Sequence, residues 1–150
     1  MIKSFPAKKE DFRKINLRQC YSHDDTVLTR GASVVSLQGV YAHSIVADDG
    51  QVLAILGCNE QYPGVVRMWG ITGEDITKYP VEFTKITKNL VRHYEKILKV
   101  HRSEMTVLTT FTAGVKWAYA LGFTIESEMK AFGADKSDHF LFVRFPQWEQ

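Results

Sequence analysis

The sequence is poor in cysteine, with only Cys20 and Cys58 among 150 residues. The two thiols form neither a CxxC pair nor a disulfide framework, so they read as reduced cysteines of a cytoplasmic protein. No metal-site spacing of Cys and His is present; His93 and His101 lie near each other without a third ligand. Long apolar runs are missing too. No stretch approaches the roughly 20 apolar residues of a membrane span. The segment Met1 to Glu10 has no apolar core of a signal peptide. These absences argue against a membrane partner. Charge of one sign is also scarce: 19 Lys and Arg face 17 Asp and Glu, for a net charge of +2. That is too little to argue for nucleic acid, and no RNP-like or helix-turn-helix pattern adds to it. No repeat, low-complexity run or linker divides the chain, so residues 1–150 read as one domain. A hydrophobic share of 45% and a charged share of 24% suit a globular protein with its own core.

Local chemistry suggests the elements. Ile2 to Phe5 reads as a strand that stops at Pro6. Lys8 to about Tyr21 is predicted helical, with Phe12, Ile15 and Gln19 on one side. His23-Asp24-Asp25-Thr26 marks a break and the start of a second helix to about Val35, since short polar side chains cap free N–H groups. Val40 to Ala47 and Val52 to Cys58 read as strands flanking Asp49-Gly50, a hairpin turn that needs positive φ. Val65 to Trp69 follows as a third strand after Tyr62-Pro63-Gly64.

Tyr79 to about Val100 reads as a long helix. Pro80 suits its first position, where a missing N–H costs nothing. Phe83, Ile86, Leu90, Tyr94, Ile97 and Leu98 recur at three- and four-residue intervals and form one stripe. Lys88, Arg92, Lys96 and Lys99 line another flank, either as a solvated face or as a surface for an acidic partner or a nucleotide phosphate. Then come a strand at Met105 to Thr109, a helix at Ala113 to Leu121 stopping at Gly122, a strand from Phe123, and a hairpin through Gly133 to Asp138. Phe140 to Phe145 is the last strand. The last helix joins strands that are not hairpin-linked, so it is a crossover packed on a sheet.

This order of strand, two helices, three antiparallel strands, helix, strand, helix and two strands resembles the GNAT acyltransferase superfamily, and so does the Leu121-Gly122-Phe123 ending. The resemblance implies an α/β (α+β) fold: a mixed, mostly antiparallel central sheet of about six to seven strands flanked by helices. It implies acetyl-CoA or CoA as the cofactor, and it points to a homodimer through sheet edges near the C-terminal strands. A second likeness is carried by the segment from Trp69 to Phe83, by Trp117 five residues before Gly122, and by the close at Phe140-Leu141-Phe142-Val143-Arg144. These resemble small bacteriophage proteins, the GNAT-like relatives of the internal virion protein A of short-tailed phages. That likeness implies a host or phage protein as partner, and a place in host cytoplasm or in the virion.

In GNAT enzymes the turn after the fourth strand carries Gln/Arg-x-x-Gly-x-Gly/Ala, whose N–H groups cradle the coenzyme pyrophosphate. The matching segment here is Trp69 to Asp75. By resemblance, Gly70, Ile71, Thr72 and Gly73 lie near the pyrophosphate, and the backbone of Met68 and Trp69 meets the thioester oxygen. The pattern is incomplete. Glu74 and Asp75 set two carboxylates near two phosphates, and Pro80 removes one N–H. The family's Asn and Tyr in the last helix are replaced by Phe111 and Ala118, and Tyr119 comes one residue late, about 100° round the helix.

Acyl transfer needs a base, an oxyanion donor and an acid. His43 in the second strand and Glu60 just after the third are the candidate bases, and Tyr119 is the candidate acid. Each also has an ordinary reading: a sheet histidine, a solvated loop carboxylate, and a ring packed on the sheet. Trp69 and Trp117 either line a coenzyme or partner pocket or fill the core. Tyr62 and Trp148 are candidate anchors for a protein partner. Two functions follow. One is an acetyl-CoA-dependent N-acyltransferase; the other is a catalytically degenerate GNAT-fold protein that binds a host enzyme or a phage structural component.

Overall fold

Asp49-Gly50 sets the first hairpin of the computed structural model, which describes residues 1–15 and 40–146. Gly50 takes a φ of 87°, a conformation that L side chains rarely adopt. Its N–H donates to the Ala47 carbonyl at 2.9 Å, and Ala47 N–H donates to the Gln51 carbonyl at 2.9 Å. The turn joins β2 (Val40–Ala47) to β3 (Val52–Tyr62) as an antiparallel pair. β1 (Ile2–Pro6) pairs with the far side of β2. Pro6 sits on this edge strand, opposite His43, where a proline is tolerated.

β3 turns into β4 (Val65–Thr72) through Pro63-Gly64, with Gly64 at a φ of 84°. Proline followed by a positive-φ glycine is the pairing a type II turn asks for. β5 (Arg102–Leu108), β6 (Thr124–Met129) and β7 (His139–Arg144) complete a seven-stranded sheet in the order β1-β2-β3-β4-β5-β7-β6. The β4–β5 pair is parallel and the β1–β2, β2–β3, β5–β7 and β6–β7 pairs are antiparallel, so the sheet is mixed and mostly antiparallel, as the resemblance implied. The helices among the described residues are α1 (Asp11–Lys14), α2 (Pro80–Ile97) and α3 (Thr112–Ala120), with a 3-10 turn at Glu74–Lys78.

Three expectations change. The first helix stops at Lys14, because Ile15 has extended backbone at φ −82° and ψ 132°. The second helix, Cys20 and Trp148 lie outside the described residues. Glu60 belongs to β3 and not to a loop, and Gly70, Ile71 and Thr72 belong to β4 and not to a turn. On α2, Phe83, Leu90 and Tyr94 are buried as the stripe required, but Ile97 is 47% exposed and Glu95 is buried instead.

The chain forms two compact units. One comprises Met1–Asn59 and Trp69–Thr87, the other Glu60–Met68 and Lys88–Gln150. In the first, Phe12 and Ile15 pack with Val52, Ile55 and Ile71, and Ala7, Val46 and Trp69 close around them. Burying a side chain such as Phe12 completely contributes about 1.5–3 kcal/mol. Asp11 fixes the helix that delivers it, accepting from Lys8 N–H at 2.9 Å and from the Ser44 hydroxyl at 2.7 Å.

In the second unit, two charged groups clamp the start of β5, one on each face. Ser103 is fully buried and donates to the Glu95 carboxylate at 2.7 Å. Arg144 Nε, from β7, meets both Glu95 oxygens at 3.1 Å. Next along β5, Glu104 accepts from Arg67 at 2.8 Å and from Arg102 Nε at 2.7 Å. Arg102 also grips Glu126 with both terminal nitrogens, at 2.9 and 2.6 Å. Burial pushes the Glu104 carboxyl up, but the hydrogen bonds from Arg67 and Arg102 outweigh it and hold the group below the usual glutamate range. α3 ends at Gly122, which has a φ of 92°. Gly122 N–H donates to the Tyr119 carbonyl at 2.9 Å and Phe123 N–H to the Ala118 carbonyl at 3.1 Å, the two bonds of a Schellman ending.

Removing one partner of the buried pair leaves an uncompensated charge. Glu95→Ala is therefore expected to lower stability by about 3–5 kcal/mol in urea denaturation; a loss under about 1 kcal/mol contradicts the clamp. Glu104 gives a pH signature. Its folded pKa is depressed, so its stabilisation is complete above the unfolded value and fades as pH falls through the folded one. Glu104→Gln is expected to cost about 1 kcal/mol at neutral pH. The gap to the unsubstituted protein should hold to about pH 5 and shrink below about pH 4.3.

Candidate functional site

The residues singled out by resemblance centre on β4. Its parallel register with β5 covers only Val65, Val66 and Arg67, facing Arg102, Ser103 and Glu104. The last of these pairs carries the Arg67–Glu104 ion pair. Met68, buried at 6% exposure, is the next residue of β4 and lies beyond that register. Sequence reasoning missed this ion pair. The only signal for it was the opposite charge of Arg67 and Glu104 in two apolar strand segments.

Trp69 takes the α1 side of the sheet. Its ring centroid lies 6.4 Å from that of Phe12, and its indole N–H donates to Asn59 Oδ1 at 2.9 Å. The indole crosses β3 at Gly57, where any Cβ would collide with the ring and stand 2.7 Å from the Tyr41 carbonyl. The side chain thus packs on the Phe12 cluster. Gly70 turns to the other side, where a Cβ would meet Leu56 Cδ2 at 2.9 Å. Leu56 is opposite His43 in the β2–β3 register, and Ser44, the next residue of β2, reaches Asp11 of α1. Strand alternation therefore puts half-buried His43 on the face of Leu56 and Gly70, opposite Trp69.

The segment expected to cradle a pyrophosphate lies at the end of β4 and in the turn after it. Ile71 and Thr72 are buried in β4, and Gly73 N–H donates to the Leu53 carbonyl at 2.8 Å. The strand persists because Ile71 joins the Phe12 cluster. The turn proper is the 3-10 segment after Gly73. Within it Ile76 N–H donates to the Gly73 carbonyl at 3.3 Å, and Tyr79 N–H to the Ile76 carbonyl at 3.0 Å. Asp75 is engaged by Lys78 Nζ at 3.1 Å and by Gln51 Nε2 at 2.5 Å. The Lys78 contact first, then that from Gln51, holds its carboxyl below the usual aspartate range. The two-carboxylate repulsion read from the sequence is thus partly offset by Lys78. Glu74 is exposed.

The remaining candidates are dispersed along the chain. Glu60 is exposed in β3. Tyr119 on α3 is 50% exposed, and its ring stands edge-on to Phe142 with centroids 5.3 Å apart and planes at 82°. Ala118, at the position where the family carries its tyrosine, is fully buried. Trp117 is half-buried on the same helix. No group of three or more His, Cys, Asp or Glu able to hold a metal occurs among the described residues. No helix among them is long and apolar enough to cross a membrane.

No protein-family model matches the sequence, and no curated protein does either. Solved structures do match. A spermidine N-acetyltransferase chimera of Vibrio cholerae SpeG and hSSAT superposes with a TM-score of 0.77 at 10% identity, over 98% of this chain and 96% of that one. The ribosomal-protein-S5-alanine acetyltransferase of Vibrio fischeri gives 0.71 at 13% identity, over 96% and 92% of the two chains. The spermidine/spermine N-acetyltransferase SpeG of Vibrio cholerae gives 0.72 at 10%, over 98% and 96%. Identities this low carry a likeness of architecture alone, and that architecture is the GNAT fold.

Proposed function

We propose that the protein is a divergent acetyl-CoA-dependent N-acyltransferase acting on an amine of a protein or a small molecule. The observation that carries this reading is the short β4–β5 register, which ends one residue before Met68 in a chain built like solved N-acetyltransferases. Backbone N–H groups that leave a ladder can serve as oxyanion donors without any side-chain signature. On this reading the backbone of Met68 and Trp69 meets the acyl end of the cofactor, and the Trp69 side chain anchors the strand from the opposite face. Acetyl-CoA supplies the activated acyl group. The amine forms the new C–N bond as the C–S bond breaks; a base takes the amine proton and an acid returns one to the thiolate. His43 is the favoured base, because it shares the face of Gly70. Glu60 is the second candidate. Tyr119 is the acid candidate, with Trp117 on the same helix.

The diphosphate end fits less well. The Gly73 N–H is spent on Leu53, so the cradle read from Gly70 to Gly73 is not available as such. That observation favours a second reading: a GNAT-fold binding protein without catalysis, engaging a host enzyme or a phage structural component. The Trp69 to Phe83 resemblance supports a bacteriophage origin for either reading, with the protein in host cytoplasm or carried into the virion during assembly. A homodimer would use the exposed edge strand β6.

Thermal unfolding with acetyl-CoA separates the two. The enzyme reading expects stabilisation of about 2.7 kcal/mol at a hundred times the dissociation constant. It also expects His43→Ala to slow acetyl transfer by about 10²-fold while keeping the thermal shift. No shift at millimolar acetyl-CoA contradicts the enzyme and leaves the binding protein.

A further inference from the structure

The exposed flank of α2 carries positive charge that no ion pair among the described residues neutralises. Lys88, Arg92 and Lys96 follow one another at four-residue intervals, and Lys99 comes just beyond the helix end. Arg92, Lys96 and Lys99 are exposed and Lys88 is half-buried. Several carboxylates of the same compact unit are committed elsewhere. Glu95 holds Arg144, Glu104 holds Arg67 and Arg102, and Glu126 holds Arg102. Glu128 and Asp138 share Lys130. No ion pair among the described residues reaches Lys88, Arg92, Lys96 or Lys99. The net charge of the chain is only +2, so this positive field belongs to one helix flank and not to the molecule at large.

The geometry narrows the partner. Four-residue steps advance about 6 Å along the axis and drift only about 40° around it, so the three helical cations form a line about 12 Å long. Carboxylates at the same interval on a second helix would face them one for one. Ile97, 47% exposed, flanks the line and offers an apolar contact that a protein surface can cover. A single-stranded nucleic-acid surface calls for a broader basic groove with stacking aromatics. Beside this line stand Asn89 and His93. We propose that the Lys88–Arg92–Lys96 flank of α2 docks an acidic helix of a partner protein. This stands independently of whether the protein transfers acyl groups.

The test uses the full chain and a labelled helical peptide with glutamates at four-residue intervals, followed by fluorescence anisotropy. Lys88→Glu/Arg92→Glu/Lys96→Glu is compared with Lys9→Glu/Lys116→Glu/Lys136→Glu, which changes net charge equally at exposed sites elsewhere. The unsubstituted protein and the second variant are expected to bind alike, with affinity falling as salt rises; the first variant should bind at least about tenfold more weakly. If the reversed α2 variant fails to fold, Lys88→Gln/Arg92→Gln/Lys96→Gln should weaken binding in the same direction. Equal weakening by both charge-reversed variants, no binding by the unsubstituted protein, or tighter binding of a single-stranded RNA oligonucleotide than of the peptide would overturn the proposal.

Discussion

A single carboxylate, that of Glu104, holds two guanidinium groups where the parallel part of the sheet ends. It receives Arg67 from β4 and Arg102 from its own strand, and Arg102 passes the grip on to Glu126 of β6. One residue earlier, Ser103 turns to the opposite face and is fastened to Glu95 of α2, which also holds Arg144 of β7. The first residues of β5 are thus fixed on both faces. Burial disfavours such charges, and the multiple hydrogen bonds at each carboxylate are what make the arrangement tolerable. The register with β4 extends no further than this clamp.

Much of the architecture could be read locally. Asp49-Gly50, Pro63-Gly64, Pro80 and Gly122 each require a particular backbone, and each stands where the chain turns, starts a helix or ends one. What could not be read depends on distant partners. Gly70 and Gly73 looked like turn residues, but Ile71 between them is drawn into the Phe12 cluster and Gly73 is caught by Leu53. Glu95 lay beside the apolar stripe of its helix and is buried because Arg144, 49 residues on, meets it there. Ile97 had the right spacing and is exposed, since the helix stops with it. For the candidate site, the sequence named Trp69 and His43 but could not say that they face opposite sides of the sheet. That follows from Gly57, whose missing side chain lets the indole lie across β3.

This division of faces changes the chemistry open to the protein. Trp69 works as a brace: it is packed on Phe12, tied to Asn59, and unable to turn without losing both. On the proposed enzyme reading, the face shared by His43 and Gly70 is the one that acts. In the segment proposed for the phosphates, the Gly73 amide is already bonded and Asp75 is paired with Lys78. A cofactor held mainly by its acyl arm and no cofactor at all are the outcomes of the two proposed readings. The positive flank of α2 supplies a surface for recognition that neither outcome requires.

The central claim is that β4 receives an acyl donor on its backbone just past the Arg67–Glu104 pair. Titrating isotope-labelled protein with acetyl-CoA and following its backbone amide resonances tests this most directly. The account predicts perturbations concentrated at Met68, Trp69 and Gly70. An unperturbed Met68 to Gly70 segment at saturating ligand, or shifts confined to other strands, would contradict it.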